Sequence, residues 1–296
     1  AVFLCVAFYE LIGICVTYKK QPAVSDATIK ETQNIMSVAG RENTERAVII
    51  EKNSQALLER VRLIQNAKDE IILSTFAFKS DESGKLILGA LHDAADRGVH
   101  VRILVDGMES WIDMEGNPYF YGLSSHENVE IKLYNKANPL KPWKTMGRMH
   151  DKYLIADGKI YILGGRNTYN YFLGDFPGHK NFDRDVLVVC DEPQKDNSVN
   201  QLWNYFETVW EQEDCRYFHN SKKLADRQSV KKAVLELQEG YQQYFEVNKE
   251  KICDTDYADE TFETEKITLL SNPIHTQAKE PVVWYQLGEL MKNAKE

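Results

Sequence analysis

No two cysteines in this chain form a CxxC pair. Cys5, Cys15, Cys190, Cys215 and Cys253 are scattered, and no two lie near a His at zinc-ligand spacing. That argues against a disulfide framework and against a structural zinc site, and leaves five free thiols as the expectation. Excess positive charge is missing too. Lys and Arg number 36 against 45 Asp and Glu, a formal charge of −9. A non-specific nucleic-acid binder usually needs a net basic face, so this class is disfavoured, although a local basic site stays open. No small-residue cleavage site follows the apolar N-terminus, as a signal peptide would require. Finally, of seven histidines only His150 has Lys two residues later; His92, His100, His126, His179, His219 and His275 do not.

What is present is globular material. Hydrophobic residues make up 43% of 296, enough for one large domain or two ordinary ones. The chain opens "AVFLCVAFYELIGICVTYKK", with Glu10 as the one charge before Lys19-Lys20. About 20 apolar residues span a bilayer, so residues 1–20 read as a membrane anchor, slightly short. Lys19-Lys20 favour a cytoplasmic side after the segment, and charges upstream would decide the orientation. Residues 21–45 are polar, weakly patterned and read as a linker.

From residue 46 the texture changes. "RAVIIE", "EIILSTFAF", "VHVRILVDG", "VEIKLYN" and "DVLVVC" read as strands, alternating with helical stripes at 54–67, 84–98 and 197–212. Such alternation implies α/β layering with a largely parallel sheet. "KYLIAD" and "KIYILGG" flank Asp157-Gly158, a hairpin turn. Residues 214–265 form a helical and acidic connector, whose stretch "DTDYADETFETE" reads as a solvated linker. "KITLLSN" (266–272) then resembles "RAVIIEKN" (46–53), and "WYQLGELMKNAKE" (284–296) resembles "LLERVRLIQNAKD" (57–69). The second copy carries the extra stretch "PIHTQAKE", and 266–296 is expected to open a second unit.

The chemistry concentrates in residues 150–167, "HDKYLIADGKIYILGGRN". Alternate strand residues share a face, so His150 and Lys152 point together and Asp151 points away. Gly164 and Gly165 let backbone approach a ligand, and Asn167 adds an amide donor. A hairpin brings 164–167 beside 150–152, so that an imidazole, an ammonium and an amide converge. The set suits a phosphate: cation and amide hold the oxygens while neutral His attacks phosphorus.

His150-x-Lys152-x4-Asp157 followed by Gly164-Gly165-x-Asn167 resembles the HKD motif of the phospholipase D superfamily. With "GGRN" and "NFDRDVLVV" (181–189) it looks most like bacterial cardiolipin synthases. The resemblance covers residues 46–212, the first phospholipase D-like domain at 46–213, with 266–296 as the start of a second, cut off after one strand and helix. It implies a layered α/β sandwich with a mixed, largely parallel sheet flanked by helices, preceded by the apolar helix. It also implies roles: His150 as nucleophile or its acid/base partner, and Lys152 and Asn167 on the phosphate. Asp157 belongs to the motif but sits at the turn. Asp183, with Asp185 as alternative, is expected to hydrogen-bond the imidazole, and Arg166 with Gly164 and Gly165 to line the substrate.

The mechanism implied runs through a phosphohistidine and needs neither metal nor cofactor. Family sites pair two HKD motifs, and this sequence has one. Either a second motif lies about 80 residues past Ala294, by the spacing from Ala67 to His150, or two copies pair; alone the chain is expected to be catalytically incomplete. The substrate expected is a phospholipid of the phosphatidylglycerol or phosphatidylethanolamine type, met at a bacterial cell membrane, with no nucleic acid. The alternatives are a nuclease or phosphodiesterase of the same superfamily, or a non-catalytic member. Lys132, Lys136, Lys141, Lys144 and Arg148 form an acid-free run before the motif, read either as an anionic-headgroup patch or as an ordinary loop. Trp143 with Pro139 and Pro142 offers an interfacial contact, and "VDGMESW" (105–111) a substrate loop.

Overall fold

The computed structural model describes residues 2–37, 45–219 and 221–294. Two helices come first, α1 (Val2–Thr17) and α2 (Asp26–Ser37). The αβ body follows as β1 (Glu45–Ile50), α3 (Asn53–Asn66), β2 (Glu70–Thr75), α4 (Glu82–Asp96) and β3 (His100–Asp106). Short helices α5 (Gly107–Asp113) and α6 (Pro118–Ser124) lead to β4 (Val129–Tyr134) and a 3₁₀ turn at Pro142–Lys144. Next come β5 (Lys152–Ala156), β6 (Ile160–Gly164), β7 (Asp185–Cys190), α7 (Ser198–Trp210) and β8 (Cys215–Tyr217). The chain ends through α8 (Lys222–Ala225), the long α9 (Gln228–Cys253), β9 (Phe262–Glu263) and α10 (Val282–Asn293).

All strands join one sheet in the order β8-β4-β3-β2-β5-β6-β7-β1-β9. Its sides are sorted by the two-residue period of a strand. Ile71, Leu73, Val101, Ile103, Leu154 and Ala156 face one core, covered by α3, α4, α6 and α9. Ile72, Leu104, Tyr153 and Ile155 face the other, where α7 inserts Leu202, Phe206, Val209 and Trp210. Each Val, Leu, Ile or Phe among them contributes about 1.5–3 kcal/mol on burial.

Several expectations need correction. The sheet is mixed but not largely parallel: β2–β3 and β3–β4 are parallel, and every other pairing is antiparallel. The cause is that β5, β6 and β7 follow one another without helical crossovers, which antiparallel neighbours do not need. Within the expected linker at 21–45, α2 occupies 26–37; residues 38–44 lie outside the described residues. No helix among the described residues is long and apolar enough to cross a membrane. At 16 residues α1 extends about 24 Å against a hydrocarbon core of roughly 30 Å. The spanning anchor expected over 1–20 is therefore not formed by them. Instead α1 leans on the 3₁₀ turn, with Thr17 Oγ1 donating to the Trp143 carbonyl at 2.9 Å and Tyr9 to that of Leu140 at 3.0 Å.

The acid-rich stretch at 254–265 is mostly exposed, as expected, but it is anchored to the body at several points. Glu260 grips Arg62 at 2.9 Å, Tyr257 is buried under the same guanidinium, and β9 pairs with β1. Residues 266–272 form no strand; they lie as irregular chain, with Ile267 and Leu269 packed against the second core. None of the five cysteines is in a disulfide among the described residues.

Candidate active site

One end of the sheet gathers the polar residues. Strands β2, β3 and β4 finish there, β5 starts there, and β6 ends opposite the start of β7. Ligands of open α/β sheets bind at such carboxyl ends. His150 sits just before β5, exposed, rather than within a strand. Lys152 opens β5 as the register partner of Thr75, with its side chain buried. Thr75 Oγ1 lies 3.2 Å from Thr168 Oγ1, which brings Asn167 to the same strand end.

Phe76, just past β2, is the hub that the sequence reading missed. Its ring meets the His150 imidazole edge to face at 4.5 Å between centroids. The Lys152 ammonium lies 5.3 Å from the same ring and the Arg148 guanidinium 4.9 Å, both within cation–π range. The next residue fixes the amide: Asn167 Oδ1 accepts from the Ala77 N–H at 3.2 Å. With its oxygen spent on backbone, Asn167 must present Nδ2 as donor.

The electrostatics favour a neutral imidazole beside a cation. The pKa of His150 is lowered, first by partial burial and then by the Lys152 charge; Asp106 opposes and Arg148 adds to the shift. Burial pushes Lys152 down to about 8, against Asp151 and Asp183. It remains charged in most molecules at neutral pH, and its ammonium donates to the His150 carbonyl at 2.8 Å.

Asp106, within the stretch "VDGMESW" but not singled out there, is a second such residue. It caps α5 by accepting from the amides of Met108 and Glu109, holds Arg148 at 2.7 Å, and accepts from Met149 N at 3.1 Å. It thereby fixes the chain entering His150. "VDGMESW" is accordingly largely helix, α5 with its cap.

Other expected site residues take different places. Asp157 lies at the far end of β5, outside this cluster. Its carboxylate accepts from the amides of Lys68, Asp69 and Glu70, which ties the β5–β6 turn to the start of β2. Asp183 makes no hydrogen bond to His150; its Oδ1 accepts from the amide of Arg184 at 2.7 Å, and its charge bears on Lys152. Asp185 is fully buried between Arg60 at 2.9 Å and Arg166 at 3.3 Å.

Arg166, expected to line the substrate, lies closed to solvent behind the glycine pair. It is 1% exposed, and its donors are committed to Asn53 Oδ1 and the carbonyls of Ile50 and Glu51. Gly164 and Gly165 also leave room for two acids. A Cβ at Gly165 would strike the Asp183 carboxylate, and one at Gly164 the Asp185 carboxylate and the Arg184 carbonyl. Asp151 turns to the α7 side, as strand parity requires, and accepts from Tyr205 at 2.8 Å.

The basic run before His150 is mostly neutralised. Lys132 donates to the Trp210 carbonyl, Lys144 pairs with Asp214 at 2.6 Å, and Arg148 is held as above. A cavity of about 410 Å³ opens where Arg148, His150, Lys152 and Gly164 meet Tyr205 and residues 269–283.

Residues 61–210 match the family model described as "Cardiolipin synthase, PLD-like domain". An uncharacterized protein of Helicobacter pylori is 32% identical over 181 residues, 56% of this chain and 35% of that protein. Cardiolipin synthase C of Escherichia coli is 29% identical over 154 residues, 47% of this chain and 31% of that enzyme. Cardiolipin synthase 1 of Staphylococcus aureus is 35% identical over 112 residues, 38% of this chain and 22% of that enzyme. These matches span about a third or less of the curated relatives' own length. Among solved structures, phosphatidylserine synthase of Haemophilus influenzae superposes with a TM-score of 0.50 at 15% identity, over 75% of this chain and 48% of that one, a likeness of fold. With half of its length matched by the family model, the chain belongs to the phospholipase D superfamily.

Proposed function

We propose that this chain supplies one half of a phosphodiester site that transfers phosphatidyl groups, as a phosphatidyltransferase of cardiolipin-synthase type or the corresponding phospholipase. The observation that carries it is the His150 imidazole. It is exposed, biased toward the neutral form by partial burial and the Lys152 charge, and free of any side-chain hydrogen bond among the described residues. A neutral imidazole with an open lone pair is a nucleophile, and an adjacent cation stabilises the charge that grows on phosphoryl oxygen.

The reaction follows in two steps. A His150 nitrogen attacks phosphorus, the bond from phosphorus to the leaving alcohol breaks, and that alcohol takes a proton from a second acid. The acceptor alcohol or water, deprotonated by the same group, then attacks the phosphohistidine, and the P–N bond breaks to return free His150. Lys152 and Asn167 hold the non-bridging oxygens. These 296 residues hold one HxK motif, so the second acid comes from further polypeptide or from a second copy. Exposed Leu140, Trp143 and Met146, beside the apolar side chains of α1, favour contact with a lipid surface, the source of a phospholipid substrate.

The test is an assay of the protein, with its second motif present, on phosphatidylglycerol vesicles and on DNA. Lipid turnover that vanishes in His150→Ala is the expected result. DNA cleavage without lipid turnover would overturn the lipid reading in favour of a nuclease.

A further inference from the structure

The stretch between β9 and α10 lies across the cavity that holds His150. It is pinned at several points. The amide of Leu269 donates to Gln201 Oε1 at 2.8 Å, and Gln212 Nε2 donates to the Ile274 carbonyl at 2.7 Å. Thr276 is buried against Gly147, where an added Cβ would come within 2.5 Å of the Thr276 Cα. This irregular chain therefore has a fixed place, and it brings Lys279 to the lining of the cavity.

Three other charged side chains, Arg148, Asp151 and Lys152, line that cavity, and each has an anchor. Arg148 is paired with Asp106 and Glu109, Lys152 donates to the His150 carbonyl, and Asp151 accepts from Tyr205. Lys279 differs. Among the described residues its ammonium has no hydrogen bond and no close ion pair, although the side chain is half-buried; only the Asp151 carboxylate bears on it at longer range. A partly desolvated ammonium with three unused donors is poised for an anion.

We propose that Lys279, which lines the same cavity as His150 and Lys152, binds a non-bridging phosphoryl oxygen of the phosphodiester at His150, with Asp151 as its resting counter-charge. This rests on the reading of the cavity as a phosphodiester site. It adds a phosphate ligand that belongs to no HxK pair and comes from 129 positions after His150 (279 − 150). It also gives Asp151 a task. That carboxylate balances Lys279 when the site is empty and yields it when substrate enters.

The test is titration of the whole chain with inorganic phosphate, followed by ³¹P NMR or calorimetry. Lys279→Ala is expected to weaken phosphate binding about tenfold or more, as loss of a charge-assisted hydrogen bond does. Lys279→Arg should restore most of it, and Asp151→Asn should tighten it. Lys279→Gln, which keeps the length of the side chain, repeats the test if the alanine variant does not fold. If Lys279→Ala and Lys279→Gln bind phosphate like the parent while Lys152→Ala is weakened, Lys279 is not a ligand and the cavity reading stands. If the parent chain binds no phosphate, both readings fall.

Discussion

Arg166 and Asp185 face each other at 3.3 Å with both side chains closed to solvent. Arg60 reaches the same carboxylate oxygen at 2.9 Å, so one buried acid serves two buried guanidiniums. The arrangement ties α3, the loop after β6 and the start of β7 into one block directly behind the glycine pair. Truncating the shared acid strands two cations in the core, which costs more than the pair ever contributed. Asp185→Ala should lower unfolding free energy by about 3–5 kcal/mol, and Arg166→Ala by less, because Asp185 keeps Arg60. Urea denaturation of the two variants checks the order.

The glycine pair should respond unequally. Gly165→Ala collides with the Asp183 side chain, which can swing out, so about 1–3 kcal/mol is expected. Adding Asp183→Ala should recover most of that loss. Gly164→Ala meets the Arg184 carbonyl as well as the buried Asp185, so no second side-chain change should rescue it. A double-mutant cycle in denaturant measures both cases.

The pH response of His150 has a definite sign. Its folded pKa lies below the ordinary value, so over the window beneath 6.5 the unfolded chain binds the proton more readily. Its contribution to stability is therefore present above that window and is lost as pH falls through the folded pKa. Replacing Lys152 with Met removes a neighbouring positive charge and should raise the His150 midpoint. Imidazole proton shifts followed by NMR across pH 4–8 read it directly; a midpoint unchanged by Lys152→Met would remove Lys152 from the electrostatics of the nucleophile.

Asp157 should separate stability from chemistry. Asp157→Ala abandons three backbone amides at the start of β2 and should cost about 1–3 kcal/mol. Turnover of the folded variant should match the parent, because the residue lies at the opposite end of β5 from His150. A fall in kcat at a temperature where the variant stays folded would contradict this.

Local pattern made part of this legible in the sequence. The β5–β6 hairpin and helices α3, α4 and α7 follow from contiguous periodicity, and the convergence of 150–152 with 164–167 follows from the hairpin. Long-range partnership was hidden. Nothing near "GGRN" reveals that Arg166 ends on Asn53, Ile50 and Glu51, or that Asp185 answers Arg60. The anchoring of the acid-rich 254–265 is hidden because Arg62, its partner, lies some two hundred positions earlier. Phe76 looked like one more apolar residue at a strand end, and Lys279 like part of an insertion, because a cavity is a property of the folded chain.

The pairing of β1 sets a condition on synthesis. Both of its sheet neighbours, β7 and β9, are encoded after it. A ribosome needs on the order of ten seconds to add the chain between β1 and β7. Throughout that time "RAVII" has two open edges and is exposed to the wrong partner. The nascent protein is therefore most vulnerable to misassembly before residue 190 leaves the ribosome, long after its first strand and helix have emerged.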